Sequence, residues 1–132
     1  MIKIKNAQLN NDAVVALNNL MDLDIKAGAA FKLMRIIKEI STLVEDKLKM
    51  EQKILDKYVD KDLNGQPLKV YDETNQVVEG AVKINDMTGF QTEMESLLSS
   101  DSTISLEPIP FDSLGLETIK LKDLLKIDFI FS

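Results

Sequence analysis

The side chains best suited to chemistry are clustered in one short run, Asp-Lys-Asp-Leu-Asn-Gly, from Asp60 to Gly65. This run matches the first half of a calcium-binding loop, in which oxygen ligands occupy alternate positions and a glycine allows the sharp turn that follows. Carboxylate and amide oxygens are the ligands that Ca²⁺ prefers. A metal ion at this run would therefore be held by Asp60, Asp62 and Asn64.

The residues that follow depart from the calcium-loop pattern. Tyr71 stands where the pattern needs a bidentate glutamate, Pro67 lies inside the loop, and a hairpin rather than a helix is indicated next. Asp and Asn next to Gly are also typical of any tight turn, because their side chains hydrogen-bond to the local backbone. An ordinary structural turn and a metal-dependent binding module are therefore alternative interpretations of the same residues.

The composition removes most other catalytic chemistry. The chain has no Cys, His or Trp, so it lacks thiolate and imidazole groups as nucleophiles, bases or metal ligands. Its other acidic pairs lie in charge-rich or turn-like segments, without the apolar cleft that shifts the pKa of a catalytic carboxyl. We therefore expect no enzymatic activity and no cofactor.

A second group of candidate residues is basic and stands at the start of a long helical segment. Lys26, Lys32 and Arg35 have spacings that allow several of them to share a helix face, either to contact an anionic partner or simply to meet solvent. The net charge of −6 argues against nucleic acid as that partner, because neutralising phosphates needs a basic surface. Only Phe31 lies among these cations, so base stacking has little support.

A third candidate surface surrounds Met50. This residue stands among charges that include Lys47 and Glu51. Methionine adapts to varied protein surfaces because its side chain is flexible and polarisable. Lys47, Met50 and Glu51 are therefore a predicted partner-binding site, with an isolated exposed methionine as the alternative.

The element that positions the basic residues and Met50 is a predicted helix from Lys26 to Tyr58. It contains no proline, its one glycine is Gly28, and its apolar residues recur with a helical period. A helix of this size is about 50 Å long, whereas a compact chain of this length has a radius of gyration of about 14 Å. We expect residues 26–59 to project in part, and to offer a surface for a second copy or another protein.

The flanking patterns predict strands and helices in mixed order. A strand at Met1–Lys5 precedes a helix that Asn10 or Asn11 can cap, and residues 68–78 suggest a hairpin. Asp86 can cap a third helix.

The chain closes with a predicted strand at Ser102–Ile109 and a predicted helix at Leu121–Phe129. We therefore expect one α+β domain over residues 1–132: a long helical hairpin or stalk, packed on a small antiparallel sheet, with a short C-terminal helix. The predicted core consists of Val14, Leu17, Leu20, Ala30, Leu33, Ile37, Ile40, Phe90, Met94 and Phe129.

Both ends of the chain resemble a family of small proteins from phages and prophages of Gram-positive bacteria. The segments that carry the resemblance are Ala16–Met21, the Ala-rich helix start Lys26–Leu33 and the closing stretch Asp123–Ile130. The resemblance implies a phage or prophage origin. No apolar run is long enough for a membrane span or a signal peptide, so we expect the host cytoplasm and no membrane.

Three functional hypotheses follow. The first is a phage-encoded, non-enzymatic protein that binds and modulates a host protein, with a defence or nucleic-acid-processing factor as the expected target. The second is a small virion or tail-assembly component that forms homo-oligomers through the long helix. The third is a metal-dependent binding module centred on Asp60, Asp62 and Asn64.

Overall fold

The computed structural model describes residues 1–116 and 118–132 and has the predicted α+β class. Four strands are present, β1 (Ile2–Lys5), β2 (Lys69–Tyr71), β3 (Val77–Val82) and β4 (Asp101–Ile104). Four α-helices accompany them, α1 (Asn11–Met21), α2 (Ala27–Tyr58), α3 (Met87–Ser99) and α4 (Leu121–Ile127). The strands form two separate two-stranded antiparallel sheets, β1 with β4 and β2 with β3.

The chain divides into two compact units. Unit 1 comprises Met1–Leu48 and Leu98–Ser132, and unit 2 comprises Lys49–Leu97. Helix α2 contributes residues to both units. The expectation of one domain with a partly projecting helix stays a prediction.

The sheet of unit 1 joins two segments that are far apart in the sequence. Ile2 pairs with Ile104 and Ile4 with Ser102, and the alternating residues Ile2 and Ile4 are buried as the pattern predicted. Past the end of the sheet, the Asn6 amide donates to the Ser100 carbonyl at 2.9 Å. The sheet thereby joins the two chain segments of which unit 1 consists.

Helix α1 begins after Asn10, one of the two caps predicted, and supplies small as well as large core residues. The Asn10 side chain accepts a hydrogen bond from the Ala13 amide at 2.9 Å, which satisfies one of the free donors of the first turn. Ala13, Ala16, Leu17 and Leu20 are buried. Helix α1 packs mainly against α4.

In unit 1, helix α2 buries a stripe with a spacing of three and four residues. The buried residues are Ala29, Leu33, Ile36 and Ile40. The predicted core residues Ala30 and Ile37 are half-buried, one position away from this stripe. Of the other predicted core residues, Leu17, Leu20 and Leu33 are buried, while Val14 and Phe129 are half-buried.

The C-terminal part of unit 1 is less regular than predicted. Strand β4 ends at Ile104, and the stretch that follows contributes a single parallel bridge between Ile109 and Phe131. Ile104 pairs with Ile2, the first residue of β1, so β1 offers no partner for a longer β4 and the predicted strand stops early. Helix α4 ends at Ile127, and a 3₁₀ turn at Asp128–Ile130 replaces the end of the predicted helix.

Unit 2 is built from the end of α2, two hairpins and most of α3. The Asp86 carboxylate accepts from the Gly89 amide at 3.0 Å and caps α3 as predicted. Tyr58 meets Phe90 edge to face, with ring centroids 6.2 Å apart. Among the described residues of unit 2, Val59 is the only apolar side chain that is buried.

Across the described residues, no helix has both the length and the apolar character needed to cross a membrane.

Candidate functional site

The residues of the calcium-loop motif form a tight turn, which we call the first turn (Asp62–Gln66). The Asp62 carboxylate accepts from the amides of Asn64 at 2.8 Å and Gln66 at 3.0 Å. The Asp62 amide donates to the Gln66 carbonyl at 2.8 Å, and Gly65 has a φ of +78°. This is a three-residue hairpin loop closed by a residue in the left-handed region.

A second turn (Asp72–Gln76) repeats this geometry ten residues later. The Asp72 carboxylate accepts from the amides of Thr74 at 2.9 Å and Gln76 at 3.0 Å. The Asp72 amide donates to the Gln76 carbonyl at 2.9 Å. Asn75, with a φ of +62°, takes the place of Gly65 because asparagine tolerates the left-handed region better than most residues.

The recurrence of this geometry shows what Asp62 does in the fold. The Asp62 carboxylate accepts hydrogen bonds from two backbone amides. The Asp72 carboxylate does the same, although the sequence around Asp72 lacks the calcium-loop pattern. In the described part of the chain, no group of three or more acidic side chains is placed to hold a metal ion. The Asp62 carboxylate therefore stabilises its own turn, and a metal site at Asp60, Asp62 and Asn64 stays a prediction.

The apex residue distinguishes the two turns. Leu63 occupies the position after the aspartate in the first turn and has a relative exposure of 106%. Glu73 occupies the same position in the second turn and is also exposed. A charged side chain gains from solvent at such a site, whereas a leucine leaves its whole apolar surface in water. Leu63 is therefore an apolar side chain with no packing role in the unit that carries it.

Other apolar side chains of the second hairpin are also exposed. Tyr71 and Val77 are cross-strand partners at the end of the hairpin and are 59% and 44% exposed. Val78, the next residue of β3, is 40% exposed. Exposed apolar side chains that adjoin one another are typical of protein-binding surfaces.

In unit 1, the structure brings two of the predicted basic residues to one cavity, which we call the basic groove. It has a volume of about 310 Å³ and lies between helix α2 and the segment that follows β4. Lys32 and Arg35 line it from the helix. Its other lining residues are Ile36, Leu106, Glu107, Pro108, Ile109, Pro110 and Ser113.

A second cavity of unit 1 has the opposite charge. It has a volume of about 580 Å³ and lies between α1 and the start of α4. Asp22 and Asp123 line it, with Lys120 as a cation beside them. An acidic ligand would meet repulsion there, so the two cavities select for ligands of different charge.

The remaining predicted partner-binding residues do not line the basic groove. The Lys26 amide donates to the Leu114 carbonyl at 3.1 Å, and its methylene groups lie against Gly115. The Lys47 ammonium donates to the Leu9 carbonyl at 2.9 Å, so this cation also has a structural role within unit 1. In unit 2, Met50 is 44% exposed and Glu51 is half-buried.

Among the residues that the structure describes, two side chains have clearly shifted pKa values, and both lie in unit 2. The Thr74 hydroxyl, with the Gln76 amide, lowers the pKa of the Asp72 carboxyl below its usual range. The hydrogen bond from the Lys57 ammonium to Glu93, 2.6 Å long, together with the charge of that carboxylate, raises the pKa of Lys57. Both groups are largely exposed, which differs from the buried setting of a catalytic acid or base.

Sequence reasoning identified Lys32 and Arg35 but missed Leu63 as a surface residue. The calcium-loop motif indicated the oxygen ligands around Leu63. A large apolar residue inside a turn sequence was nevertheless a signal of an exposed apolar side chain. It also missed the groove wall of Leu106 to Pro110, because the predicted strand there implied a different path for the chain. The two prolines were the available signal.

Comparison of the chain with protein-family models, with curated proteins and with solved structures finds no match in any of the three.

Proposed function

We propose that this protein is a non-enzymatic binding protein that uses the first turn of unit 2 to contact another protein. The observation that carries the proposal is the complete exposure of Leu63 at the apex of a hydrogen-bonded turn. Large apolar side chains held on an ordered backbone bind with little loss of conformational entropy, so they serve well as interface anchors.

The charge around Leu63 defines the partner surface that would accept it. Asp60 and Asp62 stand just before the leucine in the sequence, with Lys61 between them. A complementary partner would offer an apolar pocket for the leucine with basic residues at its rim. The resemblance to phage and prophage proteins favours a host protein as that partner.

Site-specific photo-crosslinking tests the proposal. A photoreactive amino acid replaces Leu63 in one variant and Glu73 in a matched control, and both are exposed to extracts of the cells in which the chain is naturally made. We expect a defined cross-linked protein from position 63 that is absent from position 73. Cross-links only between copies of this chain would contradict the proposal and favour an assembly component.

Binding measurements with the captured protein complete the test. Leu63→Ala should weaken binding by about tenfold or more, as truncation of a central anchor does. Glu73→Ala, at the equivalent position of the second turn, should change binding by less than about threefold, as rim charges do. Equal losses in the two variants would show that the leucine is not the anchor.

A further inference from the structure

We propose that the basic groove of unit 1 binds an acidic peptide segment of a partner protein, with an apolar side chain on the groove floor and carboxylates at Lys32 and Arg35. The groove and Leu63 belong to different units, and the inference does not rest on the function proposed above. It rests on the shape, the charge and the backbone of the groove.

The groove has a floor suited to an apolar side chain. Leu106 and Pro108 are half-buried at its surface, and Ile36 and Ile109 lie buried beneath them. Its volume of about 310 Å³ is in the range of sites that enclose a small ligand or a few side chains of a peptide.

The wall of the groove is held in place before any ligand arrives. The Ile109 amide donates to the Ile130 carbonyl at 2.8 Å, and the Ser132 amide donates to the Ile109 carbonyl at 3.0 Å. Pro108 and Pro110 restrict the backbone on either side of Ile109. A ligand therefore gains contacts without first ordering this segment, which favours binding.

The cations of the groove are available to a ligand. Lys32 and Arg35 stand three residues apart on α2, and neither forms an ion pair with any residue that the structure describes. The one carboxylate of the groove, on Glu107, accepts from the Met1 amino group at 2.9 Å. The groove is thus locally cationic in a chain of net charge −6.

These features favour a peptide over a nucleic acid. The groove residues include no aromatic side chain, so no ring is available for base stacking. An arginine instead matches the planar geometry of a carboxylate, and the apolar floor matches an aliphatic side chain. A segment in which one apolar residue lies between aspartates or glutamates meets both requirements.

The test is an NMR titration of the full-length, isotopically labelled protein with short peptides. Four N-acetylated pentapeptides carry Leu, Ile, Phe or Pro between flanking aspartates, and four controls carry lysines in place of the aspartates. We expect at least one acidic peptide to shift amide signals of α2 near residues 32–36 and of residues 106–113, at concentrations on the order of 1 mM. Added salt should weaken that binding.

Matched charge reversals on the same helix locate the site. Arg35→Glu and Lys32→Glu should each weaken peptide binding by about tenfold or more, because each replaces attraction by repulsion. Lys38→Glu, which makes the same change outside the groove, should alter binding by less than about twofold. The NMR spectrum of each variant reports directly whether it is folded.

The proposal is overturned if none of the acidic peptides shifts these signals. Equal binding of the lysine peptides, or unchanged binding to Arg35→Glu, would overturn it as well. Tighter binding of a single-stranded oligonucleotide than of any peptide would assign the groove to nucleic acid instead.

Discussion

The two units of this chain are stabilised in different ways. Of the seventeen buried apolar residues that the structure describes, sixteen lie in unit 1 and only Val59 lies in unit 2. Unit 2 instead has two hairpins closed by hydrogen-bonded turns, an edge-to-face aromatic pair and one close ion pair. Apolar burial is the main source of folding free energy, so unit 1 should carry most of the stability.

This difference suggests that unit 1 supplies most of the folding stability and that unit 2 supplies a binding surface. Regions with few buried apolar contacts open at a lower free energy than the core, and binding surfaces are often drawn from such regions. Unit 2 also carries Leu63, which is fully exposed and which we propose as the anchor for a partner. The predictions below test whether the two units differ in stability as this comparison requires.

The largest effect is expected from the core of unit 1. Leu33→Ala removes a fully buried side chain and should lower the free energy of unfolding by about 3 kcal/mol. Leu55→Ala, on the same helix but half-buried in unit 2, should cost about 1 kcal/mol. Urea denaturation measures both losses, with the exposed Leu48→Ala as a control expected to stay within about 0.5 kcal/mol of the parent. Equal losses at positions 33 and 55 would contradict the comparison.

A pair of glycine substitutions should act with opposite sign in the two units. Gly65→Ala places a Cβ at a φ of +78° and should destabilise the first turn by about 1 kcal/mol, although no neighbouring atom obstructs it. Gly28→Ala, at an equally open site in the first turn of α2, should stabilise unit 1 by up to about 1 kcal/mol.

Hydrogen exchange of the Asp62 amide reports the effect of Gly65→Ala, since this amide donates to Gln66 across the turn. Thermal unfolding reports the effect of Gly28→Ala. A stabilising Gly65→Ala would show that the turn does not need the left-handed conformation.

Low pH should loosen the second turn selectively. The pKa of Asp72 is lowered in the folded chain, so its carboxylate stabilises the turn above the ordinary pKa of an aspartate. This contribution is lost as the pH falls through the lowered folded value. The amide shifts of Thr74 and Gln76, followed by NMR during an acid titration, should report that transition, and Asp72→Asn should abolish it. An unchanged transition in Asp72→Asn would refute the assignment.

Calcium should have no effect on stability. A metal ion that bound the folded chain would raise its melting temperature by mass action. Because Asp62 is engaged by its own turn, we expect the same melting temperature with Ca²⁺ as with a chelator. A rise that is lost in Asp60→Asn would restore the metal-site interpretation.

Local sequence signals predicted the elements of this fold well. The period of the apolar residues located α2 to within one residue at its start, and Asn10 and Asp86 marked the caps of α1 and α3. The alternation in β1 also predicted which side chains are buried. Each of these features depends on neighbouring residues along the chain, which is why the sequence alone reveals it.

Features set by distant residues were not predicted. The pairing of β1 with β4 joins residues about one hundred positions apart, and no local pattern specifies the partner. The buried face of α2 contains Ala29 and Ile36 rather than the predicted Ala30 and Ile37, because packing against the rest of unit 1 decides which stripe turns inward. The basic groove likewise depends on a wall that lies far from α2 in the sequence.

Hydrogen exchange measured by mass spectrometry on the free protein tests the central comparison most directly. The account predicts that amides of β1, β4 and the buried part of α2 exchange only through global unfolding. Amides of residues 59–84 should exchange through local opening, on the order of 100-fold faster after correction for intrinsic rates. Equal protection in the two units would contradict the account, because unit 2 would then be as stable as unit 1 despite its few buried apolar side chains.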